Sequence, residues 1–423
     1  MSVSFYQVNK DRVHTLPQNI IDKIFDKFEV NQLLQATLVC KHWNTMVSDS
    51  APFRNKVWLR CYSPLKDLDS LRVSLRNYEN FKLSDSSGGG SLECIILQYP
   101  KRAIWKRVYL YIRNVNCPFL TEILEIVAKT VEELELRSIQ SLNLCDQTIF
   151  PNLKRLRLVN SQEFAFEAFL FRTPALITLS VQSPASDQVH LTTLLREKPH
   201  ILHLQLKGKI LREIFDINLN GVLKLNLLSL SLNNDTLTVL TENIERNMIQ
   251  FVQNQQTLER LFLVRNLSNN LITLMWNRMP TSVKHISIKE LTQQTILVCF
   301  LDVNENITDL DFEGSGRTLE ELQPFLEASP NLQRLYVKEL TLELIEFCGK
   351  NLEKLESLKY QTTKKLSTNN TERHDQCMEI LSQPCIRNKQ FKLQQVDFTE
   401  NIMAITEFGW FKTPVYHHFL RFY

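Results

Sequence analysis

The chain has 423 residues, of which 43% are hydrophobic and 22% are charged, a composition typical of a globular protein with a large buried core. Its 49 Lys and Arg residues nearly balance 46 Asp and Glu residues, so the net charge of +3 disfavours nucleic acid or an anionic membrane as the partner. The nine Cys residues include no CxxC pair, which argues against a disulfide framework or a zinc site. No apolar run reaches the length of a membrane span, so we expect a cytoplasmic or nuclear protein. We also expect no metal and no other cofactor.

The N-terminal segment 16–59 has the apolar periodicity of a short helical unit. Thr15 is a candidate N-cap for a helix whose first position is Pro17, and Asn31 is a candidate N-cap for the next helix. A third helix is predicted to begin at Leu38. So small a unit cannot bury all of its large apolar side chains, and the surplus predicts an apolar surface for a partner.

The stretch LPQNIIDKIFDKFEVNQLLQATLVCKHWN, followed by VWLRC, resembles the F-box. This resemblance implies a three-helix unit over residues 11–62 that docks on the Skp adaptor of Skp-cullin-F-box ubiquitin ligases, and through it on a cullin. The residues that stand at the positions of the motif, and to which the resemblance assigns adaptor binding, are Leu16, Pro17, Ile20, Ile24, Phe25, Leu33, Leu34, Val39, Cys40, Trp43 and Trp58. The alternative is that these helices only cap the domain that follows.

A second pattern, LxxLxL, recurs over residues 105–400 at spacings of mostly about 22 to 26 residues, as in leucine-rich repeats. Segments of helical periodicity separate the predicted strands, for instance 164–171, 189–195 and 319–326. The chain therefore resembles the F-box and leucine-rich-repeat family, which implies an α/β fold: an N-terminal F-box followed by a solenoid with a curved parallel β-sheet inside and helices outside. The predicted strand patterns are Val131-Leu134-Leu136, Leu153-Leu156-Leu158, Leu176-Leu179-Val181, Ile201-Leu204-Leu206, Leu227-Leu230-Leu232, Leu258-Leu261-Leu263, Val283-Ile286-Ile288, Ile307-Leu310-Phe312, Leu332-Leu335-Val337, Leu355-Leu358-Tyr360 and Leu393-Val396-Phe398.

Three segments depart from this pattern. Residues 63–104 are interpreted as a linker and the start of the solenoid, with a Gly/Ser surface loop at 84–91. Residues 361–390 are an insertion that is polar and charged over much of its length, and residues 401–423 are an aromatic-rich cap or tail. The insertion either extends a binding face or is a tolerated surface loop without a role.

The variable residues of each predicted strand point away from the core and should line the concave face of the solenoid. Exposed aromatic and arginine side chains are the types that anchor interfaces, so Arg260 with Phe262, and Arg334 with Tyr336, are the predicted contacts to a protein substrate. Opposite charges on neighbouring strands, such as Asp309 and Arg334, can instead neutralise each other across the sheet.

The sequence contains no nucleophile-elbow motif, phosphate-binding loop or dinucleotide-binding motif. The pairs His374/Cys377 and His417/His418 lack further metal ligands at suitable spacing. We therefore predict a non-catalytic, substrate-recognition subunit of a Skp-cullin-F-box ligase, with an unidentified protein substrate. The main alternative is a leucine-rich-repeat scaffold or inhibitor without a ligase role, and a leucine-rich-repeat enzyme is a third.

Overall fold

The structure is a computed structural model of the whole chain. It describes residues 16–62, 78–85, 104–112, 118–139, 144, 147–159, 172–183, 188–216, 225–234, 240–289, 300–313, 318–362, 376, 379–380, 383 and 392–397. The chain divides into two compact units: of the described residues, the first contains those from 16 to 153 and from 172 to 175, and the second contains the others. Within these ranges no helix has the length and apolarity needed to cross a membrane.

Four short helices open the first unit, where the sequence predicted three. They are α1 (Gln18–Phe25), α2 (Val30–Ala36), α3 (Lys41–Asp49) and α4 (Ala51–Lys56). The extra helix arises at Ser50, which ends α3 and caps α4 by accepting a hydrogen bond from the backbone N–H of Phe53 at 3.3 Å. Pro52 stands in the first turn of α4, where its missing N–H costs no helical hydrogen bond.

The N-terminal caps also differ from those that the sequence predicted. Pro17 is the N-cap of α1, and Glu29 rather than Asn31 caps α2, in a capping box with Gln32. The third helix begins after a turn at 37–40 instead of at Leu38. The turn leaves the apolar residues Leu38 and Val39 outside any helix, and both belong to the surface described below.

The parallel sheet of the first unit begins earlier than the pattern predicted. Its strands pair in sequence order, with Leu59 level with Phe81, and Leu110 level with Leu136. Only the fourth strand has the LxxLxL spacing; the run VYLYI at 108–112 predicts the third as an irregular strand, and the first two were not anticipated. The elements are β1 (Trp58–Tyr62), β2 (Asn80–Asp85), β3 (Arg107–Ile112), α5 (Pro118–Val127) and β4 (Glu133–Arg137).

Asn80 joins the last of the N-terminal helices to this sheet. Its buried side-chain amide donates to the backbone carbonyls of Arg54 at 2.8 Å, Asn55 at 3.2 Å and Val57 at 3.1 Å. These carbonyls lie at the C-terminal end of α4, where a helix has no internal donors left. Beside them Glu79 forms ion pairs with Arg54 at 3.2 Å and with Lys106 at 2.9 Å.

We predict that Asn80→Ala lowers the free energy of unfolding by about 2 to 3 kcal/mol, because it leaves buried carbonyl groups without a donor. Urea unfolding of the full chain, followed by tryptophan fluorescence, measures the change. Asn55→Ala is the matched control, since the Asn55 side chain is exposed on α4 and its loss should change stability by no more than about 0.5 kcal/mol. Equal stability of the two variants would contradict the capping role of Asn80.

The second unit repeats a strand and helix arrangement. Its strands, all parallel and paired in sequence order, are β5 (Arg155–Val159), β6 (Thr178–Ser183), β7 (His203–Gly208), β8 (Ser229–Asn233), β9 (Arg260–Val264), β10 (His285–Lys289), β11 (Asp309–Glu313), β12 (Arg334–Val337), β13 (Ser357–Thr362) and β14 (Lys392–Asp397). The described helices are α6 (Gln188–Glu197), α7 (Lys209–Asp216), α8 (Glu242–Gln253), α9 (Asn269–Arg278), α10 (Leu319–Glu327) and α11 (Leu342–Asn351). The predicted helix 164–171 and the segment 401–423 lie outside the described residues.

The apolar positions of the repeat form the core, as the sequence predicted. Leu230, Leu261 and Ile286 are level with one another in register, and all are buried. At the next apolar position of β11, level with Ile288, Phe312 packs against Phe325 of α10 with ring centroids 5.4 Å apart, so the apolar positions face the helices. Burial of each such side chain contributes roughly 1.5 to 3 kcal/mol.

The last strand departs from the predicted register. The pattern placed Val396 level with Leu358, but the structure places Leu393 there, a shift of three residues. Because side chains alternate between the faces of a strand, an odd shift exchanges the two faces. Lys392 and Gln394 therefore lie level with Ser357 and Lys359.

Candidate adaptor-binding and partner-binding surfaces

The four N-terminal helices expose four large apolar side chains. Ile20 and Ile24 are 38% and 43% exposed and, four residues apart, share one face of α1. Leu38 and Val39, in the turn before α3, are 77% and 65% exposed. We call these four residues the apolar docking surface. A surface of this kind marks a site of association, because exposed apolar area gains free energy when a partner covers it.

The eleven predicted adaptor-binding residues divide by exposure. Those that are exposed are Pro17, Ile20, Ile24, Val39 and Cys40; those that are half-buried are Leu16, Leu34 and Trp43; and those that are buried are Phe25, Leu33 and Trp58. The exposed ones are available to a partner as they stand. Leu38 was not among the predicted adaptor-binding residues, although it is the most exposed residue of the docking surface. The apolar periodicity of the sequence predicts it at the start of the third helix.

The buried predicted residues hold the helices together. Phe25 on α1 packs against the half-buried Trp43 of α3, with ring centroids 6.2 Å apart, and Leu33 of α2 is fully buried. The expectation that Phe25 and Leu33 offer surface to the adaptor is corrected accordingly. They position the exposed residues instead.

Trp58 is the clearest correction among these residues. It is 6% exposed, opens β1, and packs against Tyr109 of β3 with ring centroids 4.6 Å apart. The motif position suggested a role in docking, but the strand places the indole inside the first unit. Trp58 is therefore a core residue of the sheet.

Lys56 fixes the end of α1 relative to α4. Its Nζ donates to the carbonyl oxygens of Asp26 at 2.6 Å and Phe28 at 3.3 Å, and lies 3.6 Å from the Asp26 carboxylate. A cation at the C-terminal end of a helix also interacts favourably with the helix dipole. The contact holds α1, and with it Ile20 and Ile24, in one orientation on the helical unit.

The described thiols differ in their surroundings. Cys40 is exposed, and its Sγ accepts a hydrogen bond from the backbone N–H of Trp43 at 3.4 Å as the N-cap of α3. Burial raises the pKa of the Cys61 and Cys348 thiols to about 12, which keeps both protonated and unreactive.

The predicted partner-binding residues have the predicted register but not the predicted exposure. Arg260 is half-buried and Arg334 is exposed, whereas Phe262 and Tyr336 are only 4% and 7% exposed. Phe262 packs against the imidazole of His285 on the next strand, with ring centroids 5.2 Å apart. The expectation of exposed aromatic anchors is therefore wrong for both rings.

The side chains that alternate with the apolar core positions of β5 to β14 form what we call the polar face. Neighbouring strands are linked there by side-chain hydrogen bonds: Ser180 Oγ donates to Gln205 Oε1 at 2.7 Å, and His203 Nδ1 lies 2.6 Å from Ser229 Oγ. Arg334 forms a bidentate ion pair with Asp309, with Nη2 to Oδ2 at 2.7 Å. The neutralisation predicted as an alternative for this charge pair is confirmed.

His285 is held neutral on the polar face. Its pKa is lowered to about 4, mainly by burial; Asp309 acts to raise it, and Arg260, Arg334 and Lys289 act to lower it. The pKa of His203 is lowered as well, first by burial and then by Arg260 and Arg155.

We predict that His285 makes stability depend on pH. Its pKa of about 4 in the folded state lies below the unfolded value of 6.5, so its contribution is present above pH 6.5 and is lost as the pH falls toward 4. Between pH 7 and pH 5 the free energy of unfolding should fall by about 2 kcal/mol more in the wild type than in His285→Gln, measured by urea unfolding. The exposed His200→Gln control should behave as wild type; identical pH profiles of His285→Gln and wild type would contradict the prediction.

No group of three or more His, Cys, Asp or Glu side chains suited to holding a metal ion occurs in the part of the chain that the structure describes. Asp309 and Asp311, which the sequence placed on one strand face, are engaged by protein donors: Asp309 by Arg334, and Asp311 by the hydroxyl of Ser287 at 2.9 Å.

Comparison with known families bears on the four helices and the docking surface. Residues 13–57 match the model of the F-box-like family, a range that includes α1 to α4 and ends just before Trp58. No curated protein matched the chain. The match covers about a tenth of the 423 residues and leaves the repeat region without a family assignment. Residues 13–57 are an F-box-like domain, and this domain supports the chain being an F-box protein.

Proposed function

We propose that the chain is the substrate-binding subunit of a Skp-cullin-F-box ubiquitin ligase. The F-box-like domain docks on the Skp adaptor, which connects it to a cullin, and the parallel-sheet region binds the protein that is to be ubiquitinated. F-box domains generally bind the Skp adaptor in such ligases, and this general property is the reason for the assignment.

The observation that supports docking most strongly is the apolar docking surface on an F-box-like domain. Ile20, Ile24, Leu38 and Val39 leave apolar area in contact with water although the domain already has a core formed by residues such as Phe25 and Leu33. Covering this area would stabilise a complex, since burial is worth about 25 cal/mol per Å² of apolar surface before the cost of association is subtracted.

The parallel-sheet region supports the second half of the proposal. Strands at regular spacing, with buried leucines on one side and polar side chains on the other, resemble leucine-rich repeats, which present an extended surface to a partner. The mechanism is proximity: a chain that holds both the adaptor complex and a bound protein converts transfer of ubiquitin between them into a local step. No catalytic residue of this chain is required.

The proposal is tested by co-expressing the full chain with the Skp adaptor and analysing the purified material by size-exclusion chromatography with light scattering. We expect a stable complex of one chain with one adaptor molecule, to which a cullin then adds. A folded chain that elutes alone in the presence of excess adaptor would contradict the proposal and favour a binding scaffold whose N-terminal helices serve as a cap.

A further inference from the structure

The polar face of the second unit carries an excess of positive charge. Among the described strands of the second unit, only β11 places acidic residues on this face: Asp309, Asp311 and Glu313. Cationic residues occupy it on seven strands from β5 to β14: Arg155, Arg157, Lys207, Arg260, Lys289, Arg334, Lys359 and Lys392. The whole chain has a net charge of only +3, so the imbalance is a property of this face.

The two acidic side chains at the centre of β11 are already engaged within the protein. Asp309 accepts hydrogen bonds from Arg334 and from the hydroxyl of Thr308 at 2.7 Å. Asp311 accepts the hydroxyl of Ser287. Neither carboxylate is paired with Arg260, Lys359 or Lys392.

Three exposed cations lie on consecutive strands at the C-terminal end of this face. Arg334 on β12, Lys359 on β13 and Lys392 on β14 are all exposed, and we call them the basic edge. In register, Ser357 stands between Arg334 and Lys392, and its Oγ is buried without a hydrogen-bond partner. Because adjacent strands are about 4.8 Å apart, the three cations fall within the reach of one short peptide segment.

Arg260 extends this charge toward the middle of the face. It is half-buried between Ser229 and His285 in register, and its side chain makes no hydrogen bond or ion pair with the residues that the structure describes. The Nε2 atom of His285 is likewise buried without a hydrogen-bond partner.

We propose that the polar face from β9 to β14 binds an acidic segment of the protein partner, whose carboxylates pair with Lys359 and Lys392 of the basic edge and with Arg260. The inference rests on the proposed function only in taking this region as the partner-binding part of the chain. Acidic protein fits better than nucleic acid, since the net charge of the chain is only +3 and lacks the strongly basic character of a nucleic-acid binder.

The experiment measures binding of a fluorescein-labelled peptide of ten glutamates to the full chain by fluorescence anisotropy. We compare the wild type with the double variant Lys359→Glu/Lys392→Glu. The matched control is Lys27→Glu/Lys41→Glu, which reverses two exposed lysines of the F-box-like domain and so gives the same net charge. We expect the basic-edge variant to weaken binding at least about tenfold and the control to stay within about twofold of wild type, because only the former reverses charge at the contact.

Raising the salt concentration from 50 to 200 mM should weaken wild-type binding several-fold, since exposed charge pairs are screened. Equal weakening in both double variants, or no binding by the wild type at 50 mM salt, would overturn the proposal. Tighter binding of a labelled ten-nucleotide oligouridylate than of the glutamate peptide would overturn it in favour of nucleic acid. Adaptor binding is measured on the same preparations, so a wild-type chain that binds the adaptor but not the peptide refutes this inference and leaves the proposed function standing.

Discussion

Replacing Ile24 and Val39 by glutamate is expected to reduce the affinity of the chain for the Skp adaptor at least about 100-fold. Both side chains are exposed, at 43% and 65%, so the variant should fold as the wild type does. In the complex, the new carboxylates would be buried in an apolar contact without partners, which costs several kcal/mol, and each 1.4 kcal/mol corresponds to a factor of ten. Isothermal titration of purified chain with adaptor measures the change.

The matched controls are Ile149→Glu and Val303→Glu. These residues are 53% and 66% exposed, apolar, and outside the F-box-like domain. Both variants should bind the adaptor with wild-type affinity. If either control lost affinity as strongly as Ile24→Glu/Val39→Glu, the loss would reflect a general effect of added negative charge, and the apolar docking surface would not be the site.

Trp58→Ala is expected to lower the free energy of unfolding by about 3 to 5 kcal/mol, since a buried indole that packs on Tyr109 leaves a cavity when removed. Urea unfolding at pH 7 gives the value. The fraction of the variant that remains folded should bind the adaptor with unchanged affinity, because Trp58 presents almost no surface to a partner.

Trp43→Ala separates the structural role of Trp58 from a role in docking. Trp43 is half-buried on α3 and belongs to the F-box-like domain, so its loss should cost less stability than loss of Trp58 and should also weaken adaptor binding. A Trp58→Ala chain that is as stable as wild type but fails to bind the adaptor would restore Trp58 as a contact residue.

The repeat strands are the part of the fold that could be predicted from the sequence in most detail. An apolar residue at every second strand position specifies which face is buried, and parallel neighbours then align by burying the same positions, as Leu261 and Ile286 do. The prediction failed at β14, where Leu393, Val396 and Phe398 fitted the pattern but pairing with β13 selected Leu393 as the partner of Leu358. A pattern with several apolar residues in alternation fits more than one register.

The exposure of the polar face could not be predicted from strand alternation. Alternation shows that Phe262 and Tyr336 lie on the face opposite the leucines, but it does not show which neighbours cover them. For Phe262 the covering neighbour includes His285, one strand away and 23 residues later in the chain. Burial on a strand face depends on such contacts between distant residues, which a single-sequence pattern does not contain.

Within the F-box-like domain, the motif identified the residues correctly as a group but not their individual roles. An apolar residue in a small helical unit either fills the core or faces a partner, and helical spacing alone does not separate Ile24 from Phe25. Packing distinguishes the two roles: Phe25 packs against Trp43 and is a core residue.

The same packing shows why deletion of residues 1–60 is a poor test of docking. The deletion would remove most of β1 and the helix α4 whose carbonyls Asn80 caps, and it would expose Phe81 and Tyr109. Failure of the deleted chain to bind the adaptor would therefore not separate loss of the docking site from loss of the fold. Surface substitutions such as Ile24→Glu avoid this ambiguity.

Hydrogen–deuterium exchange of the full chain, with and without the Skp adaptor, tests most directly whether the F-box-like domain is the docking site. We predict slower exchange on adaptor binding in residues 18–25 and in the turn 37–40, and unchanged exchange in strands β5 to β14. Unchanged exchange in both N-terminal segments, in the presence of saturating adaptor, would contradict the assignment of the apolar docking surface and the ligase role built on it.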